Sequence, residues 1–211
     1  MEKQMDAKTE EQVVVREVEK KDIQAIWELA VDSFGEGVAF DPEHYVSQME
    51  IFPEGQRCIE YNGKIIGASG SLIVAEADWK KEHTFDDICD EGYIRNHNPD
   101  GGHLYGIEVV VHPDYRDLKL GKKLYEERKR LCKELGLKSI IIGGRIPFYH
   151  KYADQYTPEE YAEKVTAKEI YDPVMTFQLN NGFTFLRILK NYLPDDEESC
   201  TNASLMEWRN E

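Results

Sequence analysis

Apolar and polar residues recur at two different periods along the chain, and the changes of period mark the elements. Val13, Val14 and Val15 followed by Arg16, Glu17 and Val18 predict a first strand over 13–18. From Asp22 onward Ile23, Ile26, Trp27 and Ala30 return at the spacing of one helix face, so a helix runs to about Ser33. Asp41 before Pro42 is an N-cap followed by proline at the first helical position, where the missing N–H has no partner to lose, and it predicts a second helix to about Glu50. The runs 58–61 and 64–67 flank Asn62-Gly63, a pair that readily takes positive φ and closes a hairpin. A strand over 104–111 precedes a helix with Leu120, Leu124, Leu131 and Leu135 as its apolar stripe and Gly136 as its stop. Residues 139–143 predict a buried strand. The capping box Thr157-Pro158-Glu159-Glu160 opens a helix to about Ile170, and Asp172-Pro173 opens another that ends at Asn181-Gly182. Strands over 183–189 and 204–208 finish the chain, with the acidic turn 195–198 between them.

Two stretches interrupt this alternation. Residues 76–102 are acidic and aromatic and predict a long insertion with a short helix around 85–89, and 145–172 is a second insertion. Residues 1–12 are polar throughout and are expected to be a disordered tail, leaving 13–211 as one domain. No internal repeat is evident.

Composition narrows the class. At 41% hydrophobic residues, 211 residues can bury one substantial core. The longest uncharged run, 65–75, falls short of the roughly 20 residues that cross a bilayer. The first dozen residues lack an apolar signal core, so a cytoplasmic protein without membrane association is expected. Cys58, Cys89, Cys132 and Cys200 lie far apart with no C-x-x-C pair, which fits free thiols in a reducing compartment. The histidines show no metal-ligand spacing, so no metal is expected. A formal net charge of −15 argues against nucleic acid as a partner.

Against that acidic background, 116–130 is basic. Arg116, Lys119, Lys122 and Lys123 cluster where the strand, ending at His112-Pro113, turns into a helix, whereas Arg128, Lys129 and Arg130 read as a solvated helix face. The first N–H groups of a helix lack intrahelical partners and carry the positive end of the dipole, so a phosphorylated small molecule suits this turn. Gly121 removes a Cβ where a pyrophosphate would approach the backbone. The turn lacks G-x-x-x-x-G-K-[ST], and no dinucleotide G-x-G-x-x-G follows the first strand, which weakens a nucleotide-binding reading.

Val111-His112-Pro113-Asp114-Tyr115-Arg116, with Gly121 five residues on, resembles the coenzyme A-binding motif of the GNAT N-acetyltransferase superfamily, Gln/Arg-x-x-Gly-x-Gly/Ala behind Val-x-Pro-x-Tyr/Phe-Arg. Lys119 stands where the family usually has its first glycine. About 60 residues downstream, Phe177-Gln178-Leu179-Asn180-Asn181-Gly182-Phe183 is similar to the family's later helix, which ends in Gly-Phe. Gly143-Gly144-Arg145-Ile146-Pro147-Phe148-Tyr149 and Tyr192-Leu193-Pro194-Asp195-Asp196 resemble a subgroup sometimes fused to a carbon–nitrogen hydrolase domain. No second domain of that kind is expected within 13–211, so only the acetyltransferase half is carried over.

The resemblance implies an α/β (α+β) fold: a mixed central sheet of about six to seven strands, helices on both faces, splayed between the fourth and fifth strands. It implies acetyl-CoA as cosubstrate. The pantetheine arm would pair with Val109, Val110 and Val111, a backbone N–H at Val109 or Val110 would polarise the thioester carbonyl, and Arg116, Leu118, Lys119, Leu120, Gly121, Lys122 and Lys123 would surround the pyrophosphate. Glu108, a carboxylate in an otherwise apolar strand, is the candidate general base. Its other readings are a solvent-facing strand residue and a structural partner for Arg145. Arg145 and Tyr149 are candidate acceptor-binding residues, and His103 adjoins the same strand. The position from which the family's tyrosine protonates the leaving thiolate holds Gln178, and Tyr149, Tyr152 and Tyr156 are candidate replacements. The expected function is N-acetylation of a small-molecule or peptide amine; the alternative is a non-catalytic acyl-CoA-binding regulatory or sensor module. A homodimer and an amidase-like partner protein both remain open.

Overall fold

Residues 13–35 and 38–211 are described by a computed structural model, with the backbone alone at Arg116 and Asp117; the predicted tail 1–12 lies outside the described residues. In chain order the elements are β1 Val13–Glu17, α1 Ile23–Phe34, α2 Pro42–Ile51, β2 Arg57–Tyr61, β3 Lys64–Ala75, α3 Glu76–Lys80, α4 Phe85–Cys89, β4 Gly102–Val111, α5 Leu120–Glu134, β5 Ser139–Arg145, α6 Pro158–Thr166, α7 Pro173–Asn180, β6 Thr184–Leu189 and β7 Ala203–Arg209. Seven strands join in one sheet ordered β1-β2-β3-β4-β5-β7-β6. The β4–β5 pair is parallel and the remaining pairs are antiparallel. The implied mixed, splayed α/β sheet is therefore the observed one.

Local signals place most boundaries. Thr157 Oγ1 accepts the N–H of Glu160 at 3.2 Å, and Asp172 Oδ1 accepts those of Val174 and Met175 at 3.0 and 2.9 Å. Asp172 does more than cap α7. Fully buried, its second oxygen takes the Tyr161 hydroxyl at 2.8 Å and the Phe148 N–H at 3.2 Å, so one carboxylate ties the insertion 145–172 to α7. The strand predicted over 64–67 runs on to Ala75, because its small and apolar residues are buried between neighbouring strands and both helical layers.

Alternation along the strands divides the packing. Cys58, Ile65, Ala68 and Val110 face α1 and α2 in one buried cluster with Ile26, Leu29 and Tyr45. Ile59 and Ile66 face the other side with Leu120 and Leu124 of α5, and Val109 and Val111 pack there too. The stripe continues to Leu131 but not to Leu135, which is 43% exposed.

The sheet opens beside β4. Pairing with β5 covers His103 to Gly106 only, after which β5 continues along β7. On the other side of β4 the register slips between Gly70–Glu108 and Ser71–Gly106, so Ile107 is the extra residue of a β-bulge. Arg128 of α5 fills that bulge. Its Nη2 donates to the carbonyls of Gly70 and Glu108 at 3.0 and 2.9 Å, and its Nε donates to Ser71 Oγ at 3.0 Å. Gly106 makes the room: a Cβ there would stand 2.7 Å from Arg128 Nη1. The guanidinium thus supplies donors that the interrupted ladder lacks. Arg128 is 4% exposed, which corrects its expected place on a solvated helix face.

Candidate active site

The opening between β4 and β5 leads into a cavity of about 660 Å³. Its walls are Val109, Val110 and Val111 of β4, Lys119, Gly121, Lys122 and Tyr125 around the start of α5, Pro173, Val174, Phe177, Asn180 and Asn181 of α7 and its cap, and Ser33 and Phe34 at the end of α1. The hydrogen bond from the His112 N–H to the Ile66 carbonyl, 2.9 Å, sets the alternation of the β3–β4 ladder. In that phase positions 108 and 110 bond toward β3, and the N–H and C=O groups of Val109 and Val111 point away from it, into the gap that β5 has left. The cavity therefore has a free strand edge on one side and a helix start at its end.

The turn before α5 is a short 3-10 segment, Pro113–Leu118, followed by Lys119 in the left-handed region at φ 55°. That conformation explains why glycine is the usual residue at this place in the resembled motif. Leu118 and Leu120 pack their side chains in the Ile59–Ile66 cluster, so a ligand meets their backbone. Gly121 lines the cavity; a Cβ there would come 3.2 Å from the Phe177 ring, so the bare Cα makes room for α7 as well as for a ligand. Lys119 and Lys122 line the same end. The Arg116 side chain lies outside the described residues.

Glu108 points to the opposite face of β4, toward α1 and α2. It lines a pocket about the size of a water molecule with Tyr45, Gln48, Gln56, Ser69 and Gly70. The Tyr45 hydroxyl donates to Glu108 Oε1 at 3.0 Å. Burial pushes the Glu108 carboxyl up to about 7, more than the Tyr45 hydrogen bond and the Arg128 charge pull it down. The amides of this pocket have one orientation. Gln56 Nε2 donates to the carbonyls of Phe52 and Ser71 at 3.0 and 2.9 Å, and Gln48 Nε2 donates to that of Gly92 at 2.8 Å. Their oxygens therefore face Gly70, 3.1 and 3.4 Å from where its Cβ would be. Two amide oxygens and a carboxylate converge, and among the described side chains lining the pocket only Ser69 has a donor not already engaged, so the pocket welcomes N–H groups.

Other sequence candidates stand elsewhere. Arg145 is not beside Glu108. Its Nε and Nη2 clasp Asp196 at 2.7 and 2.5 Å, with Glu198 at 2.9 Å, so its charge closes the acidic turn at the end of β5. Tyr149 is 6% exposed and donates to the Tyr156 carbonyl at 3.0 Å. With Tyr152, Tyr156 and Tyr161 it forms an aromatic cluster inside the insertion, and none of the four lines the cavity. His103 is buried at the start of β4, hydrogen-bonded to Ser139 at 2.8 Å and roughly 20 Å of strand from Val109. Four site residues escaped the sequence reading: Tyr125, Tyr45, Gln48 and Gln56. Tyr125 had a visible signal, one position after Leu124 on the helix that opens at the basic turn.

A parallel pair splayed at a bulge thus opens onto a cleft with a helix start at one end and a buried carboxylate behind the strand. The chain belongs to the acetyltransferase (GNAT) family, whose model matches residues 23–153. It is 35% identical over 209 residues to the uncharacterized N-acetyltransferase YkwB of Bacillus subtilis (strain 168), covering 97% of this chain and 92% of that protein. It is also 55% identical over 201 residues to the probable hydrolase YhcX of the same organism; that match covers 95% of this chain and 39% of the relative's length. Among solved structures, the GphF GNAT-like decarboxylase in complex with isobutyryl-CoA has the same fold, with a TM-score of 0.82, 18% identity, and coverage of 93% of this chain and 98% of that one. Acyl-CoA is the cosubstrate of this enzyme class. Among the described residues no helix is long and apolar enough to cross a membrane.

Proposed function

We propose that the protein transfers an acetyl group from acetyl-CoA to a primary amine, with Glu108 as general base. The observation that carries this reading is the Glu108 pocket. A carboxyl poised near 7 accepts a proton at physiological pH, and the fixed oxygens of Gln48 and Gln56 beside it favour an incoming amine. The same three groups would repel a carboxylate, which speaks against decarboxylation of a carboxyacyl-CoA at this site.

In this reading the coenzyme lies in the cavity. Its pyrophosphate meets the N–H groups of 119–123 with Lys119 and Lys122 beside them, and its pantetheine arm adds to the free edge at Val109 and Val111. The Val109 N–H, which faces the gap, polarises the thioester carbonyl. The neutral amine arrives from the α1–α2 side, attacks the carbonyl carbon, and as the C–N bond forms gives one proton to Glu108 directly or through one water in the pocket. The two substrates thus meet through the strand opening from opposite faces.

The test is release of free coenzyme A from acetyl-CoA with a panel of primary amines, and separately from malonyl-CoA without amine. Acetylated amine, formed at a rate that rises with pH through about 7, is expected. Binding of acetyl-CoA with no acetylation of any amine overturns the proposal, and loss of carbon dioxide from malonyl-CoA alone would replace it with decarboxylation.

Lys119 provides a check on the coenzyme's position. Lys119→Gly relieves the left-handed strain but adds freedom to the unfolded chain, so stability should stay within about 0.5 kcal/mol. Loss of the cation should weaken coenzyme A by roughly tenfold. Calorimetry showing unchanged affinity would move the pyrophosphate away from this turn.

A further inference from the structure

We propose that Tyr125 of α5 donates the proton that the departing coenzyme A sulfur takes up. Breaking a thioester leaves a thiolate, and in a cleft walled by Val109, Val111, Val174 and Phe177 that charge needs a donor. Among the described residues of the cavity wall, labile protons belong to Ser33, Lys119, Lys122 and Tyr125. The two lysines stand at the phosphate end. Ser33 ends α1 on the far face, and an alcohol is too weak an acid for the task. Tyr125 remains.

Its position suits the step. Tyr125 lies four residues past Gly121 and three before Arg128, so it shares a helix face with both. The Arg128 guanidinium carbon is 5.6 Å from the centre of the Tyr125 ring, and the same guanidinium holds the Glu108 carbonyl at 2.9 Å. The Tyr125 ring therefore stands beside the guanidinium that braces the bulge, where the thioester carbonyl would meet Val109. Phe177 and Phe183 fix the ring edge-on at 5.0 and 5.5 Å.

Gln178 completes the arrangement. Its side chain is 2% exposed, with its amide oxygen lacking a partner. Its amide nitrogen sits 2.4 Å from where a Cβ on Gly144 would be, so the amide stands against β5. Burial pushes the Tyr125 phenol up and keeps it protonated, while the Arg128 charge and the nearby Gln178 amide ease formation of its anion. The helix expected to carry the phenol, α7, offers the supporting amide, and α5 offers the phenol itself.

The step balances. The amine nitrogen forms the C–N bond, the C–S bond breaks with its electron pair going to sulfur, and the Tyr125 O–H proton moves to that sulfur. Glu108 holds the proton lost by the amine, and water returns one proton from Glu108 to the phenolate. The products are an amide and a thiol, and the enzyme is unchanged.

The inference rests on the acyl-transfer reading of the cleft, but its test needs no acceptor. The bound coenzyme A thiol is titrated by thiolate absorbance, with desulfo-coenzyme A complexes as the blank. A phenol donating to sulfur lowers the thiol pKa, so Tyr125→Phe should raise it by about one to two units while leaving affinity for the desulfo analogue unchanged. The isosteric replacement of Tyr125 by a fluorotyrosine, a stronger donor, should lower it instead, and this variant retains the shape of the ring if the Phe variant folds poorly. Equal thiol pKa values in all three proteins, or equal losses of affinity for coenzyme A and its desulfo analogue, overturn the proposal and leave Tyr125 a packing residue. Failure to acetylate any amine, with the thiol shift present, would overturn the amine reading alone.

Discussion

Glu108→Gln is expected to lower turnover by roughly 100-fold or more with little change in coenzyme A affinity, and at the same time to make the protein more stable at neutral pH. The two effects share one cause. Burial holds the folded-state carboxyl at about 7 against an ordinary 4.5, so the folded protein binds a proton that the unfolded chain has already released. Wild-type stability therefore falls as pH rises from 4.5 through 7, by at most about 3.5 kcal/mol at one pKa unit per 1.4 kcal/mol. Glutamine does not titrate, so the variant's advantage should be absent below pH 4.5 and complete above 7. Urea unfolding at pH 4 and pH 8, together with initial rates, checks both halves. A variant with full activity, or one whose advantage is the same at both pH values, would remove the base role and the burial argument respectively.

Arg128→Leu is expected to cost on the order of 3–5 kcal/mol of stability and to weaken coenzyme A as well. The substitution leaves Ser71 Oγ and the carbonyls of Gly70 and Glu108 without their donor inside the sheet. The bulge that turns Val109 toward the cleft would lose its brace. Arg128→Lys keeps the charge but not the fork of donors, so it should recover only part of the loss. Denaturant midpoints for the two variants, with calorimetry on the folded fraction, make the comparison. An unchanged midpoint in Arg128→Leu would mean that water or a neighbouring side chain satisfies the bulge.

These two residues also mark where the sequence stopped being informative. Asp41, Thr157 and Asp172 announced their helices, Asn62-Gly63 its hairpin, and 109–123 the strand, turn and helix start of a phosphate-type site. Each of these depends on atoms within a few residues, so spacing alone carries the information. The family motif belongs to the same class of signal, since its cations, its glycine and its left-handed Lys119 sit within one turn of chain. The ends of β3 and β5 were less legible, because pairing with distant strands extended them beyond the local pattern.

Burial and partnership were decided elsewhere. Arg128 lay within a run of basic residues and read as solvated, yet its spacing from Leu124 and Leu131 places it on the apolar stripe, and its partners lie 57 and 58 residues away. Tyr45 reaches Glu108 across 63 residues, and Arg145 leaves Glu108 for Asp196 across 51. Only the fold brings those charges and dipoles together. A short motif can state what a helix start will attract, whereas the pKa of a carboxylate, the orientation of an amide and the choice of ion partner follow from which chains exclude water around them.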